Sequence, residues 1–162
     1  MTKLSSAEKA SMIARMCDFI PHCKAQGIRL ERIEGESVIL RLPYRAELVG
    51  NPDTGAVHGG VLTVLLDQAL GTAGICCDEV GAMITPTLDL RIDHLGTAPA
   101  GMDIFAAARV YRATRRVIFV EGFAYCESPE TPIARATGAW VKMPELDLPN
   151  LLRQSQAGAQ QQ

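Results

Sequence analysis

The chain has 162 residues, a formal net charge of −2, 48% apolar residues and 21% charged ones. That length builds one domain with its own core and needs no disulfide or metal staples, so no second folded domain is expected. The near-balanced charge carries no signature of a polyanion partner, which excludes nucleic acid as an expected ligand. The segment Met1-Thr2-Lys3-Leu4-Ser5-Ser6-Ala7-Glu8 lacks the apolar core of a signal peptide. No run approaches the roughly 20 apolar residues of a membrane span, so the expectation is a cytoplasmic protein with no membrane partner. Five cysteines (Cys17, Cys23, Cys76, Cys77, Cys126) are an odd number without CxxC spacing. They read as reduced and structural, and neither a disulfide framework nor a metal site is expected.

Ser5 or Ser6 with Glu8 resembles a helix start, and Met12, Ile13, Met16, Phe19 and Ile20 recur at helical spacing. This predicts one amphipathic helix within residues 1–26, ending before Gly27. Ile28 to Ile33 and Ser37 to Leu42 alternate about Glu34-Gly35-Glu36, the pattern of a hairpin with one face buried, and Pro43 ends the second strand. Residues 50–60 are rich in turn formers. They lead into Val61 to Gly74, which is too long and too rich in Leu and Ala for a strand and is apolar nearly all round. A helix of that kind must be wrapped by something.

Four further strands are expected at Ile84 to Leu95, Asp103 to Tyr111, Arg116 to Tyr125 and Ile133 to Lys142, joined by short links that imply antiparallel pairing. The main domain is thus expected over 27–144. From 145 to 162 the chain turns polar and rich in Gln and Ala, as a disordered tail would. The class is α+β: an antiparallel sheet curved around one hydrophobic helix.

One residue conflicts with a plain core helix. Asp67 stands among Leu65, Leu66, Ala69 and Leu70, where a carboxylate is costly unless paired or functional. It is either a catalytic acid or base, or the acceptor of a structural hydrogen bond. Just before the helix, His58-Gly59-Gly60 frees backbone N–H groups at the positive end of the helix dipole, an arrangement suited to polarising a carbonyl. The alternative is simple turn geometry. Gly59 and Asp67 are eight positions apart, about 12 Å along a helix, too far for both to touch one carbonyl within one subunit. If both act on one group, two chains must meet, and a two-fold dimer is the commonest way to do so.

The run Asn51-x6-His58-Gly59-Gly60-x6-Asp67, followed by Thr87-Leu88-Asp89-Leu90, resembles the PaaI-like branch of hotdog-fold acyl-CoA thioesterases over roughly Ile28 to Lys142. The resemblance implies that Asp67 is the base or nucleophile and that the Gly59 N–H, from the opposite subunit, polarises the thioester carbonyl. It implies that His58 and Asn51 assist beside the thioester and that the Thr87 hydroxyl helps to hold water. It also implies basic residues at the hairpin Arg112, Arg115, Arg116, which with Gly60 are the candidates for CoA binding.

Read from the residues themselves, His58 fits a loop histidine, Asn51 a turn before Pro52, Thr87 an ordinary strand position and the arginines a solvated hairpin. A thiolate leaves readily, so one base and one oxyanion donor suffice, with no metal and no cofactor beyond the CoA of the substrate. Dimers are required by the shared site, and tetramers are implied by the family.

Two other functions compete. A non-catalytic acyl-CoA sensor normally carries a DNA-binding segment, which the lone first helix does not supply. A hotdog dehydratase or hydratase shows a Pro-Gly run before the helix that is absent here. Ala69, Leu70 and Ala73 are candidates to line an acyl pocket for an aryl-acyl or medium-chain group, and nothing in the sequence chooses between these.

Overall fold

The computed structural model describes residues 3–151. Ser5 opens the first helix, α1 (Ser6–Phe19), through a capping box: its hydroxyl accepts from the Glu8 N–H while Glu8 Oε2 accepts from the Ser5 N–H at 2.8 Å. The single helix expected before Gly27 is in fact two. Proline has no N–H and its ring clashes inside a helix, so the chain breaks at Ile20 and restarts as α2 (Pro21–Gln26). Pro21 thereby occupies the first helical position, which suits it, and Gly27 closes α2 at φ 76°.

The remaining elements follow in order: β1 (Arg29–Glu34), β2 (Ser37–Leu42), a 3-10 turn at Ala46–Leu48, β3 (Val49–Asn51), β4 (Ala56–Val57) and α3 (Gly59–Cys76). Then come β5 (Met83–Ile84), β6 (Thr87–His94), β7 (Ile104–Ala113), β8 (Val117–Tyr125), β9 (Ala134–Val141) and β10 (Met143–Asp147). Six strands form one antiparallel sheet in the order β1-β2-β7-β8-β9-β6. β3 and β4 make a small hairpin ahead of α3.

Pro86 lies between β5 and β6, so the strand expected over Ile84 to Leu95 is divided. The polar tail expected from residue 145 also needs correction. The chain continues past Pro144 as β10, pairs antiparallel with β5, and buries Leu148 in the core. The remainder of that expected tail, 152–162, lies outside the described residues.

α3 lies against the sheet, with Leu62, Leu65, Leu66, Ala69, Leu70 and Ala73 all buried. Each leucine so buried contributes about 2 kcal/mol. The fit depends on Gly122 in β8, where a Cβ would come 2.6 Å from the Ala107 carbonyl oxygen and 2.8 Å from Leu70 Cδ1. By length and apolarity α3 would suit a bilayer, but here the sheet and α1 take up its apolar faces. At its far end Lys9 of α1 donates to the Cys76 carbonyl at 2.9 Å and pairs with Asp78 at 2.8 Å, a cation at the negative end of the helix dipole.

Candidate active site

The start of α3 is built around His58. Its backbone is extended (φ −64°, ψ 135°) and its Nδ1 accepts from the Gly60 N–H at 2.9 Å, so the histidine is the helix N-cap. Gly50 makes room for it, since a Cβ there would lie 2.7 Å from His58 Cα. Gly59 is the first helical residue. No acceptor among the described residues takes its N–H, which therefore stands free at the positive end of the helix. His94, at the end of β6, rests against this turn: a Cβ on Gly59 would be 3.5 Å from His94 Cε1. Sequence reading missed His94 because nothing in the pattern links the end of β6 to the start of α3.

Asp67 is half-buried on α3 and faces the start of β6, the edge strand of the sheet. Its Oδ1 accepts a hydrogen bond of 2.8 Å from Thr87 Oγ1. A bulge explains how a strand threonine reaches a helix carboxylate. Along β6, Asp89 pairs with Ala139 and Leu90 with Gly138, and regular pairing would bring Leu88 opposite Trp140. The register shifts by one residue instead, so Thr87 stands opposite the fully buried Trp140 and points to the helix side. Leu88 is expelled to solvent, 59% exposed.

Next to Asp67, Gln68 is held at both ends. Its Oε1 accepts from Cys23 Sγ at 3.0 Å and its Nε2 donates to Thr72 Oγ1 at 3.0 Å. Burial, with Asp67 nearby adding to it, pushes the Cys23 thiol up to about 11, so it is a protonated donor at neutral pH. Asp67, Gln68 and Thr87 share a cavity of about 150 Å³ with residues of α1, β5 and β9 and with the linker Ile20. Ala69, Leu70 and Ala73, the expected pocket residues, are fully buried in the core and do not line this cavity.

The expected residues therefore fall into three groups. Asp67 and Thr87 are together. Asn51, His58 and Gly59 line a separate open recess, with Gly60 beside them. Asn51 is committed to its own turn, its Oδ1 accepting from the Asp53 N–H at 3.0 Å. Arg112, Arg115 and Arg116 are exposed at the β7–β8 hairpin and form no ion pair among the described residues. The cross-strand row Thr87–Trp140–Ile118–Ala113 places that hairpin about 14 Å from Thr87, three strand spacings away.

Comparison with known proteins adds to this geometry. The sequence model of the thioesterase superfamily matches residues 54–133. The chain is 30% identical over 136 residues to a medium/long-chain acyl-CoA thioesterase of Escherichia coli, covering 72% of this chain and 84% of that one. A Pseudomonas aeruginosa protein of solved structure is 38% identical, with a TM-score of 0.76 over 83% of this chain and 99% of that one. The E. coli PaaI protein from the phenylacetic acid degradation operon has the same fold at 21% identity, with a TM-score of 0.71 over 86% of this chain and 96% of that one.

Proposed function

The chain belongs to the thioesterase superfamily and has its hotdog fold, and on that premise we propose that it hydrolyses acyl-CoA thioesters with Asp67 as the acting carboxylate. The observation that carries this reading is the Thr87 hydroxyl held 2.8 Å from Asp67 Oδ1 beside a cavity lined mainly by apolar residues. A carboxylate on a mostly apolar helix is oriented there by a bulge that places a threonine where a leucine would stand. The name of the E. coli relative supports the substrate class.

In this reading one oxygen of Asp67 is fixed by Thr87 and the other takes a proton from water. The water oxygen adds to the thioester carbonyl. The charge that develops on the carbonyl oxygen is stabilised by the Gly59 N–H of a second subunit, because within one chain Gly59 and Asp67 lie about 12 Å apart along α3. The intermediate then collapses, the C–S bond breaks, and the CoA thiolate recovers the proton from Asp67. His58 serves the same half-site by capping α3 and holding the turn, while Asn51 shapes the recess beside it.

The β7–β8 hairpin offers Arg112, Arg115 and Arg116 to the CoA phosphates, a distance that an extended pantetheine arm spans. The functional unit is accordingly a homo-oligomer, a dimer at least.

The test is hydrolysis of an acyl-CoA panel by wild type and Asp67→Ala, followed by thiol release. Turnover of at least one ester with a loss of about 10³-fold in the variant is the expected result. Binding of CoA esters without turnover by wild type would replace this reading with a sensor. In the same panel, replacing Arg115 and Arg116 with Ala should raise KM more than it lowers kcat.

A further inference from the structure

We propose that the cavity beside Asp67 is the acyl pocket, that it accepts an unsubstituted apolar acyl group of about six carbons, and that Met16 and Ile20 set this limit. The inference rests on the thioesterase reading above. Its basis is what lines the cavity: Met16, Ile20, Ile75, Met83, Ile84 and Trp140 supply apolar surface, and Asp67 and Thr87 belong to the same lining. An acyl chain whose carbonyl lies at Asp67 has this space directly beside it.

Most polar side chains on the lining are already bonded within the chain. Asp67 and Thr87 are bonded to each other, Gln68 is held by Cys23 and Thr72, and Thr85 Oγ1 donates to the Gly71 carbonyl at 2.9 Å. These bonds leave mainly apolar surface for a substituent to meet, with the second oxygen of Asp67 engaged by the hydrolytic water in the reading above, so a ring hydroxyl or carboxylate on the acyl group would be desolvated with little compensation. The cavity is partly open and about 150 Å³ in volume, which gives the scale of the group it can surround. An apolar cavity of that volume holds a benzene molecule, which is six carbons. Flexible methionines on the wall let a straight chain and a phenyl ring both fit.

The limit comes from the N-terminal helices, which lie outside the 54–133 stretch matched by the superfamily. Pro21 breaks the helix and leaves Ile20 at the junction, half-buried against the cavity, one turn beyond Met16. Cys23 then anchors α2 to α3 through Gln68, the neighbour of Asp67. The wall that Met16 and Ile20 contribute is thus tied to the residue next to the acting carboxylate.

The experiment measures kcat/KM for straight-chain acyl-CoA esters from acetyl to dodecanoyl, with phenylacetyl-CoA and 4-hydroxybenzoyl-CoA, in wild type, Met16→Ala, Ile20→Ala, Ile20→Trp and Asp67→Ala. Wild type should prefer hexanoyl, octanoyl or phenylacetyl esters over acetyl and hydroxybenzoyl ones by at least about tenfold. The two alanine variants should raise the dodecanoyl-to-hexanoyl ratio by about tenfold, and Ile20→Trp should lower the octanoyl-to-acetyl ratio by a similar factor. Ratios are independent of the fraction of folded enzyme, so a poorly folding variant still reports. Unchanged ratios in all three variants, or a preference for hydroxybenzoyl-CoA, would overturn the inference while Asp67→Ala inactivation left the thioesterase reading standing. Absence of turnover by wild type would overturn both.

Discussion

Gly59 offers an unusually clean way to remove a single N–H. It is the first residue of α3, where proline is favoured, and His58 before it already has the extended backbone that a residue preceding proline requires. Gly59→Pro should therefore keep the helix while deleting the donor, and kcat should fall by about 10²-fold to 10³-fold with melting temperature little changed. Gly59→Ala keeps the N–H and places its Cβ at an ordinary 3.5 Å from His94, so its loss should be far smaller. Steady-state kinetics and thermal melting of both variants check this; equal losses would show that the space, not the N–H, matters. At this scale the sequence was informative about Asp67, because a carboxylate in an apolar helix stands out. It was silent about Gln68, whose partners come from 45 residues earlier in the chain and four later.

β6 shows how an element aims a side chain. Its bulge turns Thr87 inward and Leu88 outward, and Gly138 on β9 permits the close approach, since a Cβ there would collide with the Asp89 carbonyl oxygen and meet the Trp140 ring at 2.9 Å. Gly138→Ala should cost about 2 kcal/mol in denaturant unfolding, as overpacking does, and should lower kcat as well by displacing Thr87. Loss of stability with kcat intact would separate the bulge from the chemistry. The strands and the buried helix were legible from alternation and from apolar run length. The bulge was not, because a register shift depends on the neighbouring strand. The break at Pro21 was written in the sequence, yet apolar spacing running across it suggested one helix.

Across the whole molecule, the buried thiols couple the fold to pH. Burial pushes Cys17 up to about 12 and Cys23 and Cys76 up to about 11, from an ordinary value near 9. The folded state thus holds these protons more tightly than the unfolded chain. Their stabilisation is complete below pH 9 and is lost as pH rises toward the folded values, on the order of 1.4 kcal/mol per pH unit for each thiol. Thermal melting should accordingly drop between pH 9 and 11, and a flat profile there would contradict the burial. The α+β architecture was legible at this scale, since a helix apolar all round needs a sheet to wrap it. The strand β10 was not, because a polar segment after Pro144 resembles a tail until β5 is seen to pair with it.

The proposed sharing of the site between subunits makes one further demand, and subunit mixing tests it most directly. Asp67→Asn and Gly59→Pro, each inactive alone, are combined under conditions that exchange subunits, with mass spectrometry to verify mixed dimers. Half of the dimers are then mixed, and each has one site with an intact Gly59 from one chain and an intact Asp67 from the other. Recovery of about a quarter of wild-type acyl-CoA turnover is the predicted result. Mixed dimers that remain inactive would contradict a site assembled from Asp67 of one subunit and Gly59 of its partner.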